Sequence, residues 1–210
     1  YNSLSAGIGA FGPGWASTAD QRLLLDDDGA TWIQPSGRHI LFPRLAGGWD
    51  RAVGDTYWLH TTTDTTGAAA GAAAASATAG APGATGDAST GAAPVTAAAA
   101  SAAAGGVGVF VVSDNAGGRW CFDRAGRPVS VSRGPGTRVD HRWDGDRLVV
   151  LAHERGRAVT IEWNDHHTRI TALTANDGRR VDYTYDPAGK LTEAASAGGA
   201  RRYGWNEQGL

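Results

Sequence analysis

Tyr185-Asp186-Pro187-Ala188-Gly189-Lys190-Leu191-Thr192 is the stretch on which the fold turns. Asp186 carries a short acceptor that can bond the backbone two or more residues on. Pro187 presets φ for the next position, and Gly189 supplies the positive φ that follows a type I turn. Upstream, Val181, Tyr183 and Tyr185 alternate with Asp182 and Thr184. A period of two is the signature of a strand with one apolar and one polar face. The eight residues therefore read as the end of one strand, a tight turn and the start of the next.

The same unit recurs outward from this stretch. An aromatic residue followed by Asp or Asn stands at Phe122-Asp123, Trp143-Asp144, Trp163-Asn164, Tyr185-Asp186 and Trp205-Asn206, at intervals of 21, 20, 22 and 20 residues. A Gly often follows four residues after the aromatic, as at Gly126, Gly189 and Gly209, with a basic residue after it at Arg127 and Lys190. Val159, Ile161 and Trp163 alternate with Thr160 and Glu162. A second turn lies within each unit at Glu154-Arg155-Gly156, Asn176-Asp177-Gly178 and Ala197-Gly198-Gly199. Self-similarity at a fixed period marks a repeat architecture in which each unit buries its apolar face against its neighbours. The prediction is an all-β fold of antiparallel β-hairpin repeats forming a continuing sheet or strip, with no helical period outside one insert.

Upstream of the repeats the composition changes twice. Residues 67–106 are about half Ala, with Asp87 as the only charge. They carry too little apolar surface to offset the entropy of ordering them. They read as a flexible low-complexity insert at the tip of a hairpin formed by Thr56 to Thr63 and Val107 to Ser113. Residues 1–66 hold a Gly-rich opening and short apolar runs at Arg22-Leu23-Leu24-Leu25, Thr31-Trp32-Ile33 and His39-Ile40-Leu41-Phe42, separated by Asp-Gly and Pro-x-Gly turns. This reads as a meander of strands. The expected organisation is thus a β segment over 1–66, the insert over 67–106 and the hairpin array over 107–210.

Composition excludes several function classes. A net charge of -2 and a pI near 6.3 give no footprint for nucleic acid, and none is expected as a partner. The Ala-rich run lacks Leu, Ile and Phe, so no membrane span is expected. The chain has no Met, and its pattern still runs at Leu210, so it reads as part of a longer polypeptide. Cys121 stands alone between Trp120 and Phe122 and reads as a small buried hydrophobe.

Candidate chemical sites dissolve when tested against what their chemistry requires. Gly7-Ile8-Gly9-Ala10-Phe11-Gly12 spells G-x-G-x-x-G, but Pro13-Gly14 follows and prevents the helix that would hold a pyrophosphate. His141, His153, His166 and His167, with Glu154 and Asp165, match no metal-ligand spacing. No G-x-S-x-G elbow anchors an acyl-transfer triad. No catalytic, cofactor-binding or metal-binding residue is assigned, no cofactor is expected, and the chain is read as no enzyme. The recurrent aromatics fall at one place per unit on the apolar face, as sheet-packing residues do. A glycan-stacking surface is the other reading, and burial of Trp143, Trp163, Tyr185 and Trp205 separates the two.

Tyr185-Asp186-Pro187-Ala188-Gly189-Lys190-Leu191-Thr192 resembles the tyrosine–aspartate repeat of the Rhs family, and the other four units are similar with Trp or Phe for Tyr. Tyr1-Asn2-Ser3 with Phe11-Gly12-Pro13-Gly14-Trp15 is similar to the segment that precedes the repeats in that family. Gly117-Gly118-Arg119-Trp120-Cys121-Phe122-Asp123 resembles the lead into the first repeat. The resemblance covers about residues 1–60 and 107–210. It implies a bacterial, secreted or cell-surface protein whose hairpins spiral into a hollow shell, in many relatives around a C-terminal toxin domain. The expected partners are further repeats of the same polypeptide and such an enclosed domain. A cell-surface carbohydrate- or partner-binding module is the alternative.

Overall fold

The computed structural model describes residues 7–62 and 110–205. The expectations for Tyr1-Asn2-Ser3, for the 67–106 insert and for the residues after Trp205 lie outside them. Seventeen strands and one three-residue 3-10 turn, Thr18–Asp20, make up the regular structure among the described residues. The all-β reading holds.

Three antiparallel sheets form. β1 (Ile8–Gly9) and β2 (Gly12–Pro13) make a short hairpin. β3 (Arg22–Leu25), β4 (Gly29–Ile33), β5 (His39–Leu45) and β6 (Gly48–Trp49) make a four-stranded meander. The third sheet has eleven strands in sequential order. It begins with β7 (Tyr57–Thr61), β8 (Phe110–Asp114), β9 (Arg119–Phe122) and β10 (Pro128–Ser132). It continues through β11 (Val139–Asp144), β12 (Arg147–His153), β13 (Ala158–Trp163) and β14 (Ile170–Ala175). β15 (Arg180–Tyr185), β16 (Leu191–Ser196) and β17 (Gly199–Arg202) complete it. Each strand pairs with its sequence neighbour, which is the arrangement that short connections and period-two patterning dictate. β7 pairs with β8 from Tyr57↔Asp114 to Thr61↔Phe110, so the Ala-rich run joins two paired strands.

The register splits the long sheet into two unlike faces. Trp163↔Ile170, Ile161↔Leu173 and His141↔Leu151 stand on one, while Glu162↔Ala172 and Asp140↔Ala152 stand on the other. The polar face carries ion pairs, across strands from Arg180 to Glu162 and from Arg202 to Glu193, and along β15 from Arg180 to Asp182. Water screens exposed pairs of this kind, and they add little net stability. The apolar face carries the core. At its first end Leu23, Trp32, Ile40 and Phe42 of the meander pack on Leu59, Val112, Trp120 and Phe122 of the long sheet. Farther along, Ala10 and Ala19 from the N-terminal segment pack on Leu148, Ile161 and Ile170.

Each of the four units whose turn lies among the described residues carries one bulge at the same place. Phe122 pairs with Pro128 but Cys121 with Ser130; Trp143 pairs with Leu148 but Arg142 with Val150. Trp163 pairs with Ile170 but Glu162 with Ala172; Tyr185 pairs with Leu191 but Thr184 with Glu193. One residue per unit (Val129, Val149, Thr171, Thr192) is thereby left out of the ladder, which bends the strand and increases its twist. Between each aromatic and its strand partner lie five, four, six and five residues, and in the second unit Asp144 and Arg147 also pair. The variation in sequence spacing sits largely in these connections.

Candidate functional site: the aromatic ladder and the brace across the turns

The turns perform as their residues require. Asp123 Oδ1 accepts the amides of Ala125 and Arg127, each at 2.9 Å, and the Asp123 carbonyl accepts Gly126 N–H at 3.0 Å. Asp186 repeats the pattern with Lys190 N–H at 2.8 Å and Gly189 N–H at 2.9 Å. Gly126 and Gly189 sit at φ 73° and 76°, where a Cβ would be strained. Asn164 can replace Asp because the turn amides need only one acceptor oxygen, and its Nδ2 adds a bond to the Thr168 hydroxyl at 3.2 Å. Its Oδ1 takes Thr168 N–H at 2.8 Å and Arg169 N–H at 3.1 Å, around a turn one residue longer. His167 there adopts φ 56°, the one positive-φ position among the described residues that is not Gly.

The bulge gives the repeated aromatic its role. β12 and β13 pair only as far as Val150↔Thr160, so the Leu148 carbonyl lies beyond the ladder. Trp163 Nε1 donates to it at 2.9 Å. Trp143 Nε1 donates to Pro128 O at 2.7 Å, Tyr185 Oη to Ile170 O at 2.6 Å and Trp205 Nε1 to Leu191 O at 2.8 Å. Donor and acceptor are 15, 15, 15 and 14 residues apart. Each ring closes a carbonyl that the preceding bulge left without a strand partner, and a buried unpaired carbonyl is costly. Phe122 has no donor and needs none, because β8 and β9 stay paired through Phe110↔Phe122. It is fully buried.

The four polar rings are half-buried, which corrects the expectation that each is either buried or part of an open stripe. Each ring ties its polar tip to a carbonyl at the start of an inner strand, and Trp and Tyr suit a place with one polar and one apolar end. Trp143 and Trp163, with Phe11, Leu151, Leu173 and Tyr183, pack against Ala10, Ala19, Leu148, Ile161 and Ile170. Burial raises the Tyr185 and Tyr183 hydroxyl pKa values above the ordinary range.

Residues 7–23 lie against the row of turns and serve as a brace. Leu23 N–H donates to Gly126 O at 2.8 Å, and Arg22 Nη2 donates to Asp146 O at 3.3 Å with its guanidinium 4.4 Å from the Trp143 ring. Ile170 N–H donates to Ala10 O at 2.9 Å. Phe11 meets Tyr183 edge-on at 4.9 Å, and Trp15 meets Tyr203 at 5.5 Å. A Cβ on Gly12 would stand 2.5 Å from Gly189 O, and one on Gly126 would stand 1.8 Å from Leu23 O. Asp20 holds the brace together, accepting Ala10 N–H and the Ser17 hydroxyl at 2.7 Å each. Desolvation in this packing lowers the Arg22 pKa, against the opposing pull of Asp20 and Asp146.

The G-x-G-x-x-G stretch is thus a hairpin, with Gly9 buried and Gly12 at φ 101°. Basic residues after the turns staple one unit to the next: Arg127 to the Gly145 carbonyl and Arg169 to the Gly189 carbonyl at 3.2 Å. The histidines scatter. His166 and His167 occupy the long turn and His153 ends β12, while His141 is buried with neither ring nitrogen partnered among the described residues. Burial lowers its pKa to about 4. No group of three or more His, Cys, Asp or Glu among the described residues is arranged to hold a metal ion. Cys121 is half-exposed on the polar face, not buried as its neighbours suggested, because alternation turns it away from Trp120 and Phe122. The sequence offered no signal for the brace beyond its glycines.

Bulged hairpins in sequential register, tied by one aromatic donor per unit, define a β-hairpin repeat protein. Residues 163–201 match the family described as RHS Repeat, and residues 1–42 match one described as Domain of unknown function (DUF6531). The chain is an Rhs/YD-repeat family protein. No curated protein matches it. No helix among the described residues is long and apolar enough to cross a membrane.

Proposed function

We propose that this chain is a wall segment of a secreted or cell-surface shell, which encloses or presents a C-terminal effector domain and performs no catalysis. Residues 1–66 and 107–210 work together in that wall, with 67–106 as an insert between them. The observation that carries this reading is the engagement of the aromatic ladder. Each polar ring spends its donor on the neighbouring carbonyl, and the brace packs over the same face. Aromatics committed to the sheet in this way stabilise a wall and leave a poor stacking platform for glycan. The polar face, laced with Arg–carboxylate pairs, suits contact with water or with an enclosed chain.

The test uses the full-length gene product. Limited proteolysis should spare any domain downstream of the repeats while the shell is intact. The same domain should be cut once the strip is opened by urea at concentrations that leave the isolated domain folded. Cleavage at equal rates in both conditions would oppose enclosure.

A further inference from the structure

We infer that the brace is a length reader: its docking surface is the row of turns, and it selects the connection length at each unit it touches. Three observations lead there. The distance from each post-turn residue to the next aromatic is held at 15, 15, 15 and 14 residues, yet the connections vary between four and six. The brace touches each of these connections or the residue beside it. The five-residue connection brings Gly126 against the Leu23 carbonyl so closely that no Cβ would fit. The four-residue connection leaves the Asp146 carbonyl to the Arg22 guanidinium. Just past the six-residue connection the brace bonds the strip backbone directly, with Ile170 N–H donating to Ala10 O.

The third observation is a local cost. The six-residue connection places His167 at φ 56°, where a side chain is disfavoured, although five-residue connections with Gly occur twice in the same strip. The extra residue leaves the repeat's own pattern unchanged, since Trp163 still pairs with Ile170 and still bonds the Leu148 carbonyl. Thr168 of this longer connection lines one cleft with Ile8, Gly9 and Ala10 of the brace. The partner of this surface is therefore the chain's own N-terminal segment, and the inference depends on the strip and not on any cargo.

The full chain tests it, with His167 deleted, with His167→Gly, and with Gly12→Val. Hydrogen–deuterium exchange is read over residues 8–20 and over β11–β16. Deleting His167 should raise exchange in the brace at least tenfold while the strip stays protected. His167→Gly keeps the length, so the brace should remain protected and the thermal midpoint should rise. Gly12→Val, which pushes on the Gly189 carbonyl, should loosen the brace as the deletion does. Brace protection unchanged by the deletion would overturn the inference. So would global unfolding on deletion, because the length would then be required by the strip.

Discussion

Tyr185→Phe isolates the hydrogen bond from the ring. The substitution keeps the half-buried ring and removes only the hydroxyl that donates to Ile170 O at 2.6 Å. Ile170 is 1 % exposed and its carbonyl lies past the last ladder pair, Ala172↔Asp182, so the lost bond leaves a stranded acceptor. An unsatisfied buried carbonyl costs about 1–3 kcal/mol, and the half-exposure of Tyr185 admits water from one side, which places the loss at about 1–2 kcal/mol. With a urea m-value of about 2 kcal/mol/M, the midpoint should fall by roughly 0.5–1 M at constant m. Tyr183→Phe is the control. Its ring packs on Phe11, none of the hydrogen bonds described uses its hydroxyl, and its loss should be under about 0.5 kcal/mol. Equal midpoints for the two variants would refute the role given to the aromatic donors.

Four further outcomes are expected. Ile161→Ala, at a site 6 % exposed, should cost about 2–5 kcal/mol in the same unfolding assay, while Glu162→Ala on the open face should cost under about 1 kcal/mol. His141 titrates near 6.5 when unfolded and near 4 when folded, so the unfolded state binds the extra proton between those values. Stability should therefore be complete above pH 6.5, fall by up to about 1.4 kcal/mol per pH unit toward pH 4, and level off below. His141→Leu should flatten that segment of the pH–stability curve. Replacing residues 67–106 by a short Gly-Ser link should preserve cooperative unfolding, because these residues carry little apolar surface to bury.

The long sheet was legible because its two signals are local. Alternation through Val159-Thr160-Ile161-Glu162-Trp163 and the Asp186-Pro187-Ala188-Gly189 turn each fix backbone geometry within a few residues. Neither signal says what a half-apolar ring does at its polar end. The choice of Phe at 122 and of Trp or Tyr afterwards looked like drift, and only the bulges explain it, since they decide which carbonyls lose a strand partner. The 22-residue interval was visible, but its cause, His167 in a left-handed turn, carries no Gly or Asn to announce it. The brace was hidden for a different reason. Its contacts join residues more than 100 positions apart, such as Leu23 and Gly126, and no periodicity links them.

Electron cryomicroscopy of the full-length polypeptide tests the central claim most directly. The account predicts β7–β17 in the wall of a hollow shell, residues 7–23 seated on the row of turns, and a further hairpin paired to the outer edge of β17. A strip that ends at β17 as an open sheet, with Trp143, Trp163 and Tyr185 released from their carbonyls and facing solvent or glycan, would contradict it.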